Sequence, residues 1–182
     1  MQTPPALLII DMQRGMATPE AGRRNNPQAE DNIAALLAAW REAGRHVVHV
    51  RHMSRTPGSP FWPGQRGAEF QPRLSPRPTE HVVEKNVPDA FVNTGLERWL
   101  RMRDIAQLVI VGVSTNNSVE ASARSAGCLG FATTVVSDAC YAYDMQTLDG
   151  TLRDAAEVHL MALSNLHGEY AAIRSAAEVL AQ

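Results

Sequence analysis

Short apolar runs alternate with amphipathic stretches along the chain, and their two periods separate strands from helices. Positions 6–10 (ALLII) are apolar without a break and close on Asp11, the pattern of a strand buried on both faces of a parallel sheet. Between 26 and 44, Ile33, Leu36, Leu37 and Trp40 recur at helical spacing, and Gly44 offers a left-handed stop. A second strand is predicted at 46–51 (HVVHVR) and a third at 81–84 (HVVE), which delivers Lys85. Positions 96–103 read as a short amphipathic helix, and 108–113 (LVIVGV) as the most apolar strand, central in the sheet. A helix at 117–129 is closed by Gly127 and Gly130, and a strand at 131–136 leads into Ser137-Asp138-Ala139. A long helix follows at 148–166, with Leu152, Ala155, Ala156, Leu160 and Leu163 on its apolar side. A short strand at 169–173 and a terminal helix at 176–181 complete the pattern.

Strands alternating with helices predict an α/β fold: a single three-layer α/β/α domain over 1–182 with a mostly parallel, Rossmann-like sheet. No internal repeat or linker divides the chain. One stretch breaks the alternation. Positions 54–78 are rich in Pro, Gly and Arg, with Phe61, Trp62 and Phe70 embedded. A loop that long in a compact domain implies a task such as covering a site.

Composition narrows the classes. Hydrophobic residues make up 45% of the 182 and charged residues 20%, a globular balance with a core of useful size. A net charge of −2 favours neither nucleic acid nor an acidic membrane surface as partner. No apolar run is long enough to span a bilayer. The opening Met-Gln-Thr-Pro-Pro lacks the basic leader and small-residue cleavage site of a secretory signal, so a cytoplasmic protein is expected. Two cysteines, Cys128 and Cys140, make no disulfide framework. Cys128 is expected to pack at a helix end, and Cys140 to be core or pocket rim.

One detail of composition changes the picture. Of 17 basic residues, Lys85 alone is lysine. A lysine can be desolvated and can exchange its proton, whereas arginine stays charged. In open parallel sheets ligands bind at the carboxyl ends of strands. Three polar features stand at such ends here: Asp11, Lys85 and the Ser114-to-Ser118 turn after LVIVGV. A carboxylate, an amine and a hydroxyl-bearing turn at a helix start make a workable acyl-transfer site, with backbone N–H groups aimed at a developing oxyanion.

These segments carry a resemblance. LLIIDMQ around Asp11, VVEKNVPDAFVNTGL around Lys85, LVIVGVSTNNSVEASARSAGCLGF followed by SDAC, and NLHGEYAAI near the end are similar to the isochorismatase-like superfamily. That superfamily includes nicotinamidases, N-carbamoylsarcosine amidohydrolases and isochorismatases. The resemblance implies a hydrolase of small amide or carbamoyl compounds with an Asp-Lys-Cys centre: Asp11 as proton acceptor and donor, Lys85 as electrostatic partner. It implies a cis peptide between Val113 and Ser114, oxyanion-hole amides at Ser114 and Ser118, and a homo-oligomer, dimer or tetramer. The rings of the 54–78 loop would be covered in such an assembly.

At the nucleophile position the chain departs from the family. The pattern T-x-x-C-V falls on Thr115-Asn116-Asn117-Ser118-Val119, so a serine stands where the family has cysteine. Three explanations fit. The position was replaced to trap a complex; serine is natural, in a slow hydrolase or in vinyl-ether hydrolysis where Asp11 alone supplies the proton; or the chain is a silent small-molecule binder. No metal or other cofactor is expected, because His52 stands without the further ligands of the family's metal-binding members. The expected substrate-binding residues are Gln13, Phe61, Trp62, Phe91 and Tyr141, with Tyr143 beside them. Arg51 and Arg55 are candidates to pair with a substrate carboxylate.

Overall fold

The computed structural model describes residues 3–182. Six parallel strands form one sheet: β1 (Ala6–Ile10), β2 (Val47–His52), β3 (His81–Lys85), β4 (Gln107–Val113), β5 (Ala132–Tyr141) and β8 (Ala172–Arg174). Their order across the sheet is β3-β2-β1-β4-β5-β8. Helices α1 (Ala29–Glu42) and α5 (Ala176–Leu180) cover one face. Helices α2 (Leu96–Arg101), α3 (Glu120–Cys128) and α4 (Ala155–Leu166) cover the other. The α/β/α architecture with a parallel sheet is therefore as the pattern predicts. No described helix is long and apolar enough to cross a membrane.

Strand alternation divides the core cleanly. On β1, Leu7 and Ile9 pack with Leu36, Leu37 and Trp40 of α1, while Ala6, Leu8 and Ile10 join Leu96, Leu100, Val119 and Ala123 on the opposite face. β1 and β4 are the inner pair, with Ile10 in register with Gly112. Gly112 has φ 128°, and a Cβ there would overlap the Ile10 carbonyl oxygen, so only glycine fits this crossing.

Three expectations are corrected. The helix expected at 148–166 begins only at Ala155, where Asp154 and Glu157 form a capping box. The residues before it form a small hairpin, β6 (Met145–Gln146) and β7 (Leu152–Arg153), turning at Asp149-Gly150 with Gly150 at φ 85°. Leu148 and Leu152 sit in helical phase with α4 but are exposed, so their spacing does not reflect burial. β5 runs past the expected Val136 to Tyr141, because it bulges: Ile110 pairs with Val135, but Gly112 pairs with Cys140. Finally, the rings of the 54–78 loop are half-buried, and large exposed apolar side chains lie outside it, among them Met145, Leu148 and Leu152 of the hairpin, Leu160 and Met161 of α4, and Met102 after α2.

Glu80 locks α1 to the loop before β3. Its carboxylate accepts from Arg41 at 2.7 and 2.8 Å and from the Arg77 amide at 2.8 Å, and lies 2.9 Å from His49 Nε2. Burial pushes the Glu80 carboxyl up, but Arg41, the Arg77 amide and His49 outweigh it and hold the group at about 2. A depressed carboxylate stabilises the fold above its unfolded value of 4.5, and that contribution is lost as pH falls towards about 2. Denaturant midpoints of wild type should therefore fall through that window. In Glu80→Gln the midpoint should be lower at pH 7 and fall less on acidification; an unchanged acid slope would refute the assignment.

Candidate active site

The three strand ends singled out in the sequence meet at one point. Continued extension of β1 would send position 11 to the α1 face with Leu7 and Ile9. Instead Asp11 adopts φ 51°, a left-handed conformation that Asp tolerates, and leaves the strand alternation. Its backbone is held by an N–H donated to the Val50 carbonyl at 2.9 Å and by its own carbonyl accepting from Gln13 at 2.7 Å. Lys85 ends β3, which is separated from β1 by β2, roughly 10 Å at two strand spacings. The long flexible stem of lysine makes that crossing. Lys85 Nζ reaches Asp11 Oδ2 at 2.7 Å and Ser118 Oγ at 3.2 Å.

Ser118 is presented by a single π-helical turn, Thr115–Val119, between β4 and α3. The Val119 amide donates to the Ser114 carbonyl at 3.2 Å, and the Asn117 amide to the same oxygen at 3.0 Å. Wide turns of this kind recur at functional sites, where they re-aim one side chain. The Val113–Ser114 peptide is cis. The helix expected to start at 117 is therefore preceded by a π-turn, which a period of 3.6 does not disclose.

The centre is almost sealed: Asp11 is 1% exposed, Lys85 2% and Ser118 7%. Burial pushes the Asp11 carboxyl above its ordinary value, and the charge and hydrogen bond of Lys85, with a further hydrogen bond from Ser118, pull it back only in part. Oδ1 of Asp11 has no hydrogen-bond partner among the described residues. His52 lies in register with Lys85, and burial followed by the Lys85 charge pushes its pKa down, so a neutral ring borders the ion pair. Among the described residues no three His, Cys, Asp or Glu side chains converge as a cation site.

The expected pocket walls are dispersed. Gln13 spends its amide on structure: it donates to the His52 and Ala68 carbonyls at 2.9 and 3.0 Å and accepts from the His52 amide at 2.8 Å, clamping the 54–78 loop to β2. Phe61 stands edge-on to His52 at 6.2 Å and thus flanks the centre through that ring, whereas Trp62 is half-buried in the turn after Ser59. Phe91 lies 5.9 Å from Phe131 and packs on the core where β5 begins, at the amino edge of the sheet, because the chain after Lys85 runs back to start α2. Tyr141 is buried in the α1-side core under the Arg24 guanidinium, with Tyr143 against it. It is core, on the face opposite the centre. Of the arginines, Arg51 is paired with Glu84, and Arg55 lies against the side-chain amide of Asn86. Cys140 is buried and its thiol pushed up to about 12 by burial, while Cys128, expected to pack, is exposed.

Sequence reasoning missed one buried polar pair at the site. Thr115 Oγ1 lies 2.8 Å from His159 Nδ1 of α4. The signal was available, since His159 shares a helix side with Ala155, Val158 and Ala162.

A parallel α/β sheet whose carboxyl edge gathers an acid, an ammonium and a hydroxyl in one buried point defines the class of protein. The chain belongs to the isochorismatase family: the isochorismatase domain profile matches residues 5–177. It is similar to an isochorismatase-family protein of known crystal structure from Chromobacterium violaceum, 47% identical with a TM-score of 0.96 over 100% of this chain and 93% of that one. It is also similar to a streptothricin hydrolase of Streptomyces noursei, 36% identical over 77% of this chain and 50% of that protein. A ureidoacrylate amidohydrolase, RutB of Caulobacter segnis, is 29% identical over 75% of this chain and 72% of its own length. The chain is an isochorismatase-family hydrolase.

Proposed function

We propose that this hydrolase cleaves the C–N bond of a small amide or carbamoyl compound, with Asp11 moving the proton, Lys85 supplying the fixed cation and Ser118 in the nucleophile position. The observation that carries the reading is Lys85 Nζ bridging Asp11 and Ser118 at 2.7 and 3.2 Å inside a water-poor site. The names of the streptothricin hydrolase and the ureidoacrylate amidohydrolase support a hydrolytic, amide-directed chemistry.

Because Lys85 donates to the Ser118 oxygen, the hydroxyl proton is left for Asp11, whose carboxylate is more basic than usual through burial. Attack forms the bond from Ser118 Oγ to the carbonyl carbon as that proton passes to Asp11. Amides of Ser114 and Ser118 would hold the oxyanion. The C–N bond then breaks, the leaving amine takes the proton from Asp11, and water hydrolyses the ester to regenerate Ser118.

The test is product release from a panel of small amides and carbamoyl compounds, assayed as ammonia or amine, with Asp11→Asn alongside. Turnover that Asp11→Asn abolishes supports the proposal. Pyruvate release from isochorismate without amide turnover would replace it with vinyl-ether hydrolysis, in which Asp11 needs no nucleophile. Substrate binding without turnover would make the chain a binder.

A further inference from the structure

Helix α4 exchanges the sides expected of two neighbours. Leu160, on the apolar stripe of the sequence, is 66% exposed, while His159 is 8% exposed. Burying an imidazole is unfavourable unless its nitrogens find partners. His159 finds one near the centre. Nδ1 meets the hydroxyl of fully buried Thr115 at 2.8 Å. A neutral ring protonated on Nε2 takes the Thr115 proton on Nδ1. Burial pushes the His159 pKa down, which keeps the ring in that neutral form.

Thr115 is the first residue of the π-helical turn that carries Ser118. Helix α4 packs against this turn as well as against β5. A buried hydrogen bond from α4 to the first residue of the turn, with α4 itself packed on β5, fixes where the turn stands relative to the sheet, and so relative to Lys85, which comes from β3.

We propose that His159 is a positioning residue for the reaction centre: through Thr115 it sets the turn that holds position 118 against Lys85, without touching the reacting atoms. The proposal rests on the reading of position 118 as the nucleophile position, and it adds a contact that lies outside the Asp11–Lys85–Ser118 constellation.

The test reads the turn without a substrate. In a Ser118→Cys, Cys128→Ser background, the rate of iodoacetamide alkylation at residue 118, mapped by mass spectrometry at pH 7, reports the thiol's distance from Lys85. Adding His159→Leu, which keeps volume but no hydrogen bond, should slow alkylation roughly tenfold, since displacements on the order of 1 Å at such sites cost up to about 100-fold. His159→Asn, whose amide can replace the Nδ1 contact, should recover the rate to within about threefold. Thr115→Val should reproduce the loss and add nothing to His159→Leu, as members of one coupled unit do.

An alkylation rate in a folded His159→Leu protein within about twofold of the background would overturn the proposal, since such a displacement would cost more. If His159→Leu fails to fold by circular dichroism, Thr115→Val decides by the same criterion. Because the probe needs no substrate, absence of amide turnover in every variant would refute the amide reading and leave this result standing. Normal alkylation alongside intact turnover would refute only the role of His159.

Discussion

A cysteine placed at position 118 is expected to react with iodoacetamide far faster than a buried thiol should, and to accelerate amide hydrolysis over the serine protein. The physical comparison is inside the molecule. Cys140, which is buried, is pushed up to about 12 by desolvation. Position 118 is nearly as buried, but its side-chain oxygen lies 3.2 Å from the Lys85 ammonium. A fixed positive charge at that distance favours the thiolate strongly in a site poor in water. Lowering a thiol pKa from about 8.5 to about 7 raises its thiolate share at pH 7 from about 3% to about 50%, some 15-fold. An alcohol gains nothing comparable and must lose its proton to Asp11 during attack. Ser118→Cys should therefore raise kcat for amides on the order of tenfold or more, with alkylation confined to residue 118 once exposed Cys128 is replaced by serine. Both proteins are to be compared at saturating substrate, so that binding is not read as chemistry. An unreactive thiol in the Ser118→Cys variant, together with isochorismate turnover by the serine protein, would sink this assignment.

The second large effect concerns the lone lysine. Lys85→Arg keeps the charge, yet the broader guanidinium fork has no room between Asp11 and Ser118 where Nζ now contacts both, at 2.7 and 3.2 Å. Activity should fall by about 100-fold, the usual result of misplacing a reacting group by about an ångström. Lys85→Met goes further and strands the Asp11 carboxylate in the core. Removing one member of a buried ion pair costs about 3–5 kcal/mol.

The pH dependence of Lys85→Met gives that argument a sign. Burial already raises the Asp11 pKa, and Lys85 is the main influence lowering it. Without Lys85 the folded protein binds a proton at Asp11 that the unfolded chain has lost, so stability is greatest at low pH and declines as pH rises from the unfolded value of 3.8 to the raised folded value. Its denaturant midpoint should be lower at pH 8 than at pH 5. Glu80, with a depressed pKa, works in the opposite direction and at lower pH. A Lys85→Met midpoint equal at pH 5 and pH 8 would mean that Asp11 is not held by this ion pair.

The sheet was legible in the sequence because its strands are buried on both faces. Apolar runs at β1, β2 and β4 leave no alternative for their backbones, and their carboxyl ends coincide with Asp11 and the Ser114 turn. The pairing of Lys85 with Asp11 was legible in part, since a single lysine at a strand end suggests a task that arginine cannot perform. Local pattern fails where packing, not periodicity, sets the outcome. Leu148 and Leu152 keep helical spacing but form an exposed hairpin, because Asp149-Gly150 turns the chain before the Asp154 cap can start α4. Aromatic residues show the same limit: the chain after β3 carries Phe91 onto the core on one side of the sheet, and the bulge that prolongs β5 to Tyr141 buries that ring in the core on the other.

The sequence by itself determined the α/β class and the strand ends that carry polar groups, Asp11, Lys85 and the Ser114-to-Ser118 turn, within which the family resemblance singled out Ser118. Tertiary structure alone decided how they meet. A strand two places from β1 had to send a long side chain beneath β2, Asp11 had to leave the strand alternation through a left-handed φ of 51°, and a π-turn tied to His159 had to aim Ser118. Each depends on contacts between segments far apart in the chain, as with Lys85 and Ser118 at a separation of 33 and Lys85 and Asp11 at 74, and no local spacing encodes such distances.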